Sequence, residues 1–320
     1  MQQRSKKEEK EERAWLWKLA ASVIIAALVV VHIGNAHGVS TLSDEFGYWG
    51  TAAIINGYNW TGTLNNFPYF SFIYSLILCP IMALPVGATV MFRIALIINA
   101  LMLVVTFWIS CACAKRMYPA LPERFCALLC AAITVYSAYI YDSQNTSGEI
   151  LNVLLFWVLF YVCLRFVETP KASWAVWMSV LAVLNFAAHM RSLSLLLAAV
   201  VVIFITAIGK RTSWKLIPAA GITIGIGLLI FIQTKNLVIQ NVYGAGELAA
   251  ANDVGAQAQK LSALFDPATI YNVFVMCWGR LFYLGTTSFL LIYIGVVVGA
   301  VALYKTVRTK GKATNSNTTI

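Results

Sequence analysis

The residues best suited to chemistry are two adjacent carboxylates, Asp44 and Glu45, in the stretch from Gly38 to Asn59. Carboxylates accept protons in acid–base catalysis, and their oxygen atoms are the ligands that hard divalent cations prefer. The pair follows the first hydrophobic run of the chain, so it is placed where the chain should leave a membrane. This carboxylate pair at a membrane boundary is the strongest functional indication in the sequence.

A short helix is the element that must position the pair. From Phe46 onward, Trp49, Ala53 and Ile54 fall on one face at helical spacing, with Gly, Thr and Asn on the other side. This pattern is typical of a helix that lies flat at the membrane surface. A second interpretation is that the acids only start the helix after an N-cap at Ser43, favouring its dipole by about 0.3–1 kcal/mol. The two interpretations are compatible, because a capped helix also fixes where its carboxylates point.

The composition indicates a membrane protein. Of the 320 residues, 60% are hydrophobic and only 11% are charged, whereas a soluble domain carries about 25% charged residues. Successive runs of about 17 or more apolar residues are typical of spanning helices. The predicted fold class is all-α: a polytopic membrane protein of about eight transmembrane helices, with two or three membrane-surface helices on the exterior side.

The predicted spans share length and apolar composition. One further apolar stretch, Phe70–Val86, is ambiguous, because it is interrupted by Pro80 and Pro85 and is barely long enough to cross. Whether it crosses decides the sidedness of everything after it. The spans are Trp15–Gly34, Thr89–Cys113, Phe125–Tyr141, Glu149–Val167, Trp174–His189, Ser192–Gly209, Trp214–Thr234 and Trp278–Tyr304.

The positive-inside rule favours a topology in which Phe70–Val86 does not cross. With the N-terminus inside, twelve later basic residues then face the cytoplasm, and they would face outward if the segment crossed. The prediction is an integral protein of the plasma (inner) membrane with both termini cytoplasmic. It has a lead at 1–14, one membrane domain at 15–304, exterior loops at 35–88 (with two surface helices) and 235–277, and a tail at 305–320. Because the net charge of +10 is explained by orientation, no nucleic-acid partner is expected.

The seven cysteines lie in or at the edge of apolar runs. None shows C-x-x-C spacing and no histidine lies near them in the sequence, so neither a zinc site nor a disulfide framework is indicated. The sequence therefore predicts small buried hydrophobic residues at these positions.

The carboxylate stretch resembles a known family. Asp44 and Glu45, then Tyr48, then an Ala-rich helix with a Gly57-Tyr58 end, are similar to the first exterior loop of the GT-C glycosyltransferases, polytopic enzymes of the membrane. The family's next element, a hydrophobic surface helix led by Pro-Tyr, resembles the segment 67–74. An arginine early in the following span matches Arg93, and the basic loop after that span matches Lys115-Arg116. The resemblance covers roughly residues 15 to 191.

The resemblance implies a transfer of sugar from a polyprenyl-phosphate carrier to a glycan, lipid or protein acceptor at the exterior membrane face. It implies that Asp44 is the general base, and that Glu45 orients the acceptor or, with Asp44, holds a divalent cation. Glu149 matches the acid that the family places at the outer start of a later span, although it could instead cap its own helix. The remaining candidates for substrate binding are Asp142 and Tyr48 and, for the leaving phosphate, Arg93, Arg191 and Arg280.

Non-enzymatic functions form the alternative: a transporter, flippase or assembly subunit that binds a lipid or glycan. That class predicts charged or broken helices at mid-membrane, whereas the predicted spans carry their charges at the ends. Members of the family usually continue for several more spans or an exterior domain, so an inactive remnant is a further alternative.

Overall fold

The computed structural model describes residues 2–31, 33–36, 38, 43–64, 71–209, 214, 216–243, 266–272 and 275. Its elements are helical throughout, and no strand occurs among the described residues. The chain forms two compact units, Met1–Asp253 and Val254–Ile320. The helices of the first unit are α1 (Gln2–Val30), α2 (Ser43–Ile55), α3 (Thr61–Leu64), α4 (Phe72–Met82), α5 (Ala88–Met117), α6 (Glu123–Thr134), α7 (Ser137–Ser143), α8 (Glu149–Glu168), α9 (Ala172–Ala188), α10 (Leu193–Gly209) and α11 (Leu216–Val242).

Within the described ranges, 5 segments are long and apolar enough to cross a membrane: Trp15–Asn35, α5, α8, Met190–Gly209 and α11. The helices α6 and α7 make a sixth if they count as one span, but they meet at a bend of 62°. The expected span at Phe125–Tyr141 is therefore broken. The expected span Trp174–His189 corresponds to α9, whose 17 residues reach only about 25 Å. Trp278–Tyr304 lies outside the described residues, so the described part does not reach the expected count of about eight.

The ambiguous stretch Phe70–Val86 forms α4, a helix of 11 residues. At about 1.5 Å per residue it is about 16 Å long, roughly half of the hydrocarbon thickness of a bilayer. The Ser71 side chain caps its start by accepting a hydrogen bond from the backbone N–H of Ile73 at 3.1 Å. This length agrees with the prediction that the segment does not cross.

The last described helix of the first unit, α11, is longer than the sequence predicted. It was expected to end at Thr234, but it continues to Val242 and so includes the first residues of the expected exterior loop 235–277. The continuous apolar run ends before Thr234, but residues 235–242 mix polar and apolar side chains and contain no proline or glycine to break the helix. With 27 residues, α11 is about 40 Å long and exceeds the hydrocarbon thickness by about 10 Å.

In the second unit, Asp266 begins a short helix at residues 267–272. Its Oδ2 accepts hydrogen bonds from the backbone N–H of Thr269 at 3.0 Å and from Thr269 Oγ1 at 2.9 Å. These bonds hold the pKa of Asp266 below its usual value. Pro267 occupies the first helical position, where proline is favoured. The exterior helix predicted at Gly246–Leu264 lies outside the described residues.

The middle of helix α2 is buried within the protein on all sides, so its Gly and Thr residues do not form a water-facing side. Every residue from 47 to 53 is buried, and α2 packs against α3, α4 and α11. Thr51, expected on the polar face, lies with its Oγ1 3.2 Å from the hydroxyl of Tyr243. A Cβ on Gly50 would lie 2.7 Å from Leu64. The small residues of α2 therefore allow close packing between helices instead of facing water.

Candidate functional site

Asp44 and Glu45 occupy the first turn of α2, as the sequence predicted. The side chain of Glu45 is 0% exposed. Its Oε1 accepts hydrogen bonds from the backbone N–H of Thr146 and, at 2.8 Å, from Thr146 Oγ1. The indole N–H of Trp49, one turn along α2, donates to the same Thr146 Oγ1 at 2.8 Å. Glu45 and Trp49 thus attach α2 to the loop that precedes α8.

That loop, residues 144–148, is itself fixed by the helices behind it. The amide nitrogen of Asn99 on α5 donates to the carbonyl oxygen of Asn145 at 2.8 Å. The hydroxyl of Tyr74 on α4 donates to Asn99 Oδ1 at 2.8 Å. Because Tyr74 and Asn99 are fully buried, the hydrogen bonds hold the loop in one position relative to α4 and α5.

Tyr48 lies at the junction of α2 and α8. A Cβ on Gly148 would lie 2.7 Å from the Tyr48 hydroxyl, so only glycine allows this approach. The Tyr48 ring packs edge-on against Tyr74, with ring centroids 5.3 Å apart. Burial, followed by the negative charges of Glu149 and Asp44, raises the pKa of Tyr48 well above its usual value. Tyr48 therefore stays protonated. Both Glu149 and Asp44 are near enough to influence it electrostatically.

Glu149 begins α8 and has two basic side chains beside it. Its Oε1 lies 3.3 Å from His189 Nε2 and 3.8 Å from Arg191 Nη1. The Nδ1 atom of His189 accepts a hydrogen bond from the backbone N–H of Arg191 at 3.2 Å. The ring proton is therefore assigned to Nε2, which faces Glu149. His189 orients the carboxylate, whereas the side chain of Arg191 is 83% exposed and can meet an anion.

The structure thus brings together Asp44, Tyr48, Glu149 and Arg191 out of the residues that the sequence proposed. Asp142, on α7, is half-buried and interacts electrostatically with Glu149, so it lies at the edge of this group. We call Asp44, Tyr48, Glu149, His189 and Arg191 the carboxylate site.

The structure does not place the other two proposed arginines, Arg93 and Arg280, in the carboxylate site. The guanidinium of Arg93 donates to the carbonyl oxygen of Gly34 at 2.8 Å and to that of Ala36 at 3.2 Å. These bonds fix the chain where it leaves α1. Arg280 lies outside the described residues. A role for either arginine in phosphate binding stays a prediction.

Sequence reasoning missed the position of Lys235, whose side chain is 0% exposed. It shares a face of α11 with Phe231, one turn before it, and with Val242, two turns after it. Phe231 stacks against Phe72 of α4 at 6.4 Å between ring centroids, and α11 also contacts α2. Lys235 therefore lies on the inner face of α11, toward the helices that carry the site. The sequence did contain a signal for this position. Lys235 directly follows the predicted end of the span at Thr234, and no proline or glycine there ends the helix.

His189, between α9 and α10, is a second residue that sequence reasoning did not place in the site. Its contact with Glu149 joins residues 40 positions apart, which no local pattern reveals.

In the described part of the chain, no set of three or more acidic or histidine side chains is placed to hold a metal ion together. The group of three potential ligands found there consists of cysteines and includes neither Asp44 nor Glu45. Glu45 Oε1 is bonded to Thr146, and Glu149 Oε1 lies beside His189 and Arg191. Binding of a divalent cation by Asp44 and Glu45 stays a prediction. A divalent cation held by one or two carboxylates commonly completes its coordination with substrate phosphate and water.

Comparison with known proteins gave no relative: no protein-family model matches the chain, and neither a curated protein nor a solved structure matches it.

Proposed function

We propose that the protein is a membrane glycosyltransferase that moves a sugar from a polyprenyl-phosphate carrier to an acceptor hydroxyl at the exterior face. The observation that supports it best is the carboxylate site itself. The carboxylates of Asp44 and Glu149 both influence the buried Tyr48 electrostatically. The exposed guanidinium of Arg191 lies 3.8 Å from Glu149. A base and a cation at the end of a helical membrane bundle are the two groups that this transfer requires.

In the proposed reaction, an acceptor hydroxyl attacks the anomeric carbon of the donor sugar. The bond between that carbon and the phosphate oxygen breaks, and the polyprenyl phosphate leaves with the electron pair. Asp44 takes the proton of the acceptor hydroxyl as the new glycosidic bond forms. Arg191 stabilises the negative charge that develops on the phosphate, together with a divalent cation at Asp44 and Glu149 if one is bound.

The other residues act through these groups. Glu45 is a positioning residue in this scheme, because it is fully buried and attaches α2 to the loop before α8. Tyr48, held protonated, packs against Gly148 and so helps to fix α2 against the start of α8. Glu149 orients the acceptor, and His189 orients Glu149. Lys235 is a further candidate for binding the phosphate, since a basic residue on the inner face of a membrane helix is usually functional.

The test is the variant Asp44→Asn, which keeps the shape of the side chain and removes the base. Membranes containing the wild-type protein are incubated with a panel of radiolabelled polyprenyl-phosphate hexoses and pentoses, and incorporation of sugar into an acceptor is measured. The control is Glu168→Gln, which removes an acid from the far end of α8, where it pairs with Arg116 at 2.6 Å. We expect transfer by the control and loss of transfer in Asp44→Asn at equal expression. Full activity in Asp44→Asn would remove Asp44 from the mechanism.

One observation favours a transporter or flippase as the second candidate function. The 62° bend between α6 and α7 interrupts a predicted span. Broken helices are a feature of transporters. The two functions differ in their product. In sealed vesicles, a transporter moves a fluorescent lipid-linked sugar between leaflets and leaves its phosphate bond intact, whereas a transferase releases polyprenyl phosphate.

A further inference from the structure

Three buried cysteine side chains meet between α5 and α6, away from the carboxylate site. The sulfur atoms of Cys111, Cys126 and Cys130 all lie within 4.8 Å of one another. Each of these residues is at most 2% exposed. The thiol of Cys126 also contacts the backbone carbonyl of Cys111, with 3.5 Å between sulfur and oxygen. We call these three residues the thiol cluster.

The fold makes this cluster from residues that are separated in the sequence. Cys126 and Cys130 are four residues apart on α6, so they share one face of that helix. The chain reverses between α5 and α6, which brings Cys111, near the end of α5, against that face. Spacing alone predicted isolated buried thiols, because no C-x-x-C motif is present and the third sulfur comes from another helix.

A positive charge lies beside the thiol cluster. Lys18 of α1 interacts electrostatically with all three thiols. Its Nζ lies 2.8 Å from Glu123 Oε2 at the start of α6 and 5.8 Å from the centre of the Trp108 ring. Lys18 and Glu123 are partly exposed, so this ion pair lies nearer the protein surface than the three buried cysteines.

We propose that Cys111, Cys126 and Cys130 bind a thiophilic metal ion, either zinc(II) or copper(I). Thiolate sulfur is the preferred ligand of both ions. Binding would release one proton from each thiol that becomes a ligand. With metal–sulfur distances of about 2.3 Å, sulfurs in such a site are about 4 Å apart, so small side-chain rotations are sufficient to close the cluster around an ion.

Charge bears on which ion is bound. Three thiolates with zinc(II) carry a net charge of −1, which Lys18 can offset. The same thiolates with copper(I) carry −2, and a larger uncompensated charge is costly in an apolar interior. The number of sulfurs favours copper(I) instead, because zinc(II) usually takes a fourth ligand. Binding of either ion would cross-link α5 and α6 and stabilise the protein as the ion concentration rises.

The first experiment uses the full-length protein, purified reduced and metal-free in detergent. Zinc(II) and copper(I) are added in separate samples, and bound metal is measured after desalting. We expect one equivalent of one or both ions per chain. Cys126→Ser should lose this metal. Cys113→Ser should retain it, because Cys113 is also buried on α5 but lies outside the cluster.

A second measurement uses the wild-type protein, so it does not depend on whether a variant folds. The protein is alkylated with and without metal, and the modified cysteines are identified by peptide mass spectrometry. Metal should protect Cys111, Cys126 and Cys130 more than Cys163. The proposal is overturned if neither ion is retained, if Cys126→Ser retains as much as wild type, or if metal protects Cys163 equally. A disulfide between two of the three, formed in air by protein that retains no metal when reduced, would also overturn it.

Discussion

Asp44 and Glu45 show how two adjacent carboxylates acquire different functions. Asp44 is half-buried and contributes to the field at Tyr48. Glu45 is fully buried and accepts two hydrogen bonds from Thr146. Successive residues of a helix point in different directions, so one carboxylate reaches the site while the other attaches α2 to the loop. We therefore expect Asp44 to affect the reaction and Glu45 to affect stability.

The variant Glu45→Ala should destabilise the protein far more than Asp44→Ala. Removing the Glu45 carboxylate leaves the buried N–H of Thr146 without its acceptor, which costs about 1–3 kcal/mol. The measurement is the thermal unfolding midpoint of each purified variant in the same detergent. Equal midpoints for the two variants would contradict the anchoring role of Glu45.

His189 should matter through Glu149. In His189→Phe the donor to the carboxylate is lost, and misorientation of Glu149 should slow sugar transfer by about tenfold to a hundredfold. In His189→Gln the side-chain amide can still donate to Glu149, so most of the activity should return. Initial rates at several acceptor concentrations separate an effect on acceptor binding from one on turnover. Wild-type rates in His189→Phe would show that this contact has no part in the reaction.

The positions of these residues in their helices follow from the sequence, whereas their long-range contacts do not. The position of Asp44 and Glu45 in the first turn of a helix is local information, and it was predicted correctly. The burial of Glu45 depends on Thr146, which is about one hundred residues away in the chain. The contact between Glu149 and His189 is likewise made only when α8 and α9 come together.

At the scale of elements, the junction of α2 with α8 determines the geometry of the carboxylate site. Glycines permit two close contacts in the middle of α2, since Gly148 leaves room for Tyr48 and Gly50 leaves room for Leu64. The Gly and Thr residues of α2 predict a water-facing side, but this side is the one that allows neighbouring helices to approach. Periodicity shows that one face of a helix differs from the other, and not what covers each face.

A single methyl group at this junction should disturb the site. In Gly148→Ala the new Cβ would lie 2.7 Å from the Tyr48 hydroxyl, and overpacking of this kind costs about 1–3 kcal/mol. Adding Tyr48→Phe removes the clashing oxygen and should restore much of the lost stability. Thermal unfolding of the single and double variants measures this coupling.

The matched control for that pair is Gly62→Ala, where a Cβ has open space around it. It should leave the unfolding midpoint close to that of wild type. The predicted junction would be wrong if Gly148→Ala were as stable as Gly62→Ala, or if Tyr48→Phe added to the loss instead of reversing it.

The lengths of the elements were predicted less well than their existence. The sequence indicated α8 and α10 nearly as they are, because their apolar runs end where the helices end, whereas α5 continues four residues past the predicted end at Cys113. It placed the end of α11 eight residues too early, since hydropathy reports where apolar residues stop and a helix can continue past that point. The break between α6 and α7 lies within an apolar run that contains no proline or glycine, so no local signal marked it.

At the scale of the whole molecule, large apolar side chains remain exposed along the described helices. Ile205 on α10 and Ile222 and Leu229 on α11 are examples, each more than half exposed. Such surfaces are expected where a helix faces hydrocarbon chains instead of water. Composition alone predicted this class of protein, because an apolar fraction of 60% exceeds what a soluble interior can bury.

The orientation in the membrane connects the fold to the proposed function. The short α4 supports the topology in which the carboxylate site faces the exterior and the loop between α8 and α9 faces the cytoplasm. A lipid-linked sugar presented at the exterior face can reach Asp44 only in this orientation. The basic residues of the loops predict it, and the sidedness of a single residue can test it.

The most direct measurement is therefore labelling of Asn59→Cys, at an exposed position just after α2, with a membrane-impermeant maleimide on intact cells. Ser173→Cys, exposed near the start of α9, is the opposite-side control, and wild-type protein gives the background. We predict that Asn59→Cys is labelled in intact cells and that Ser173→Cys is labelled only after the membrane is opened. Labelling of Ser173→Cys alone in intact cells would place the carboxylate site in the cytoplasm and contradict the proposed transferase.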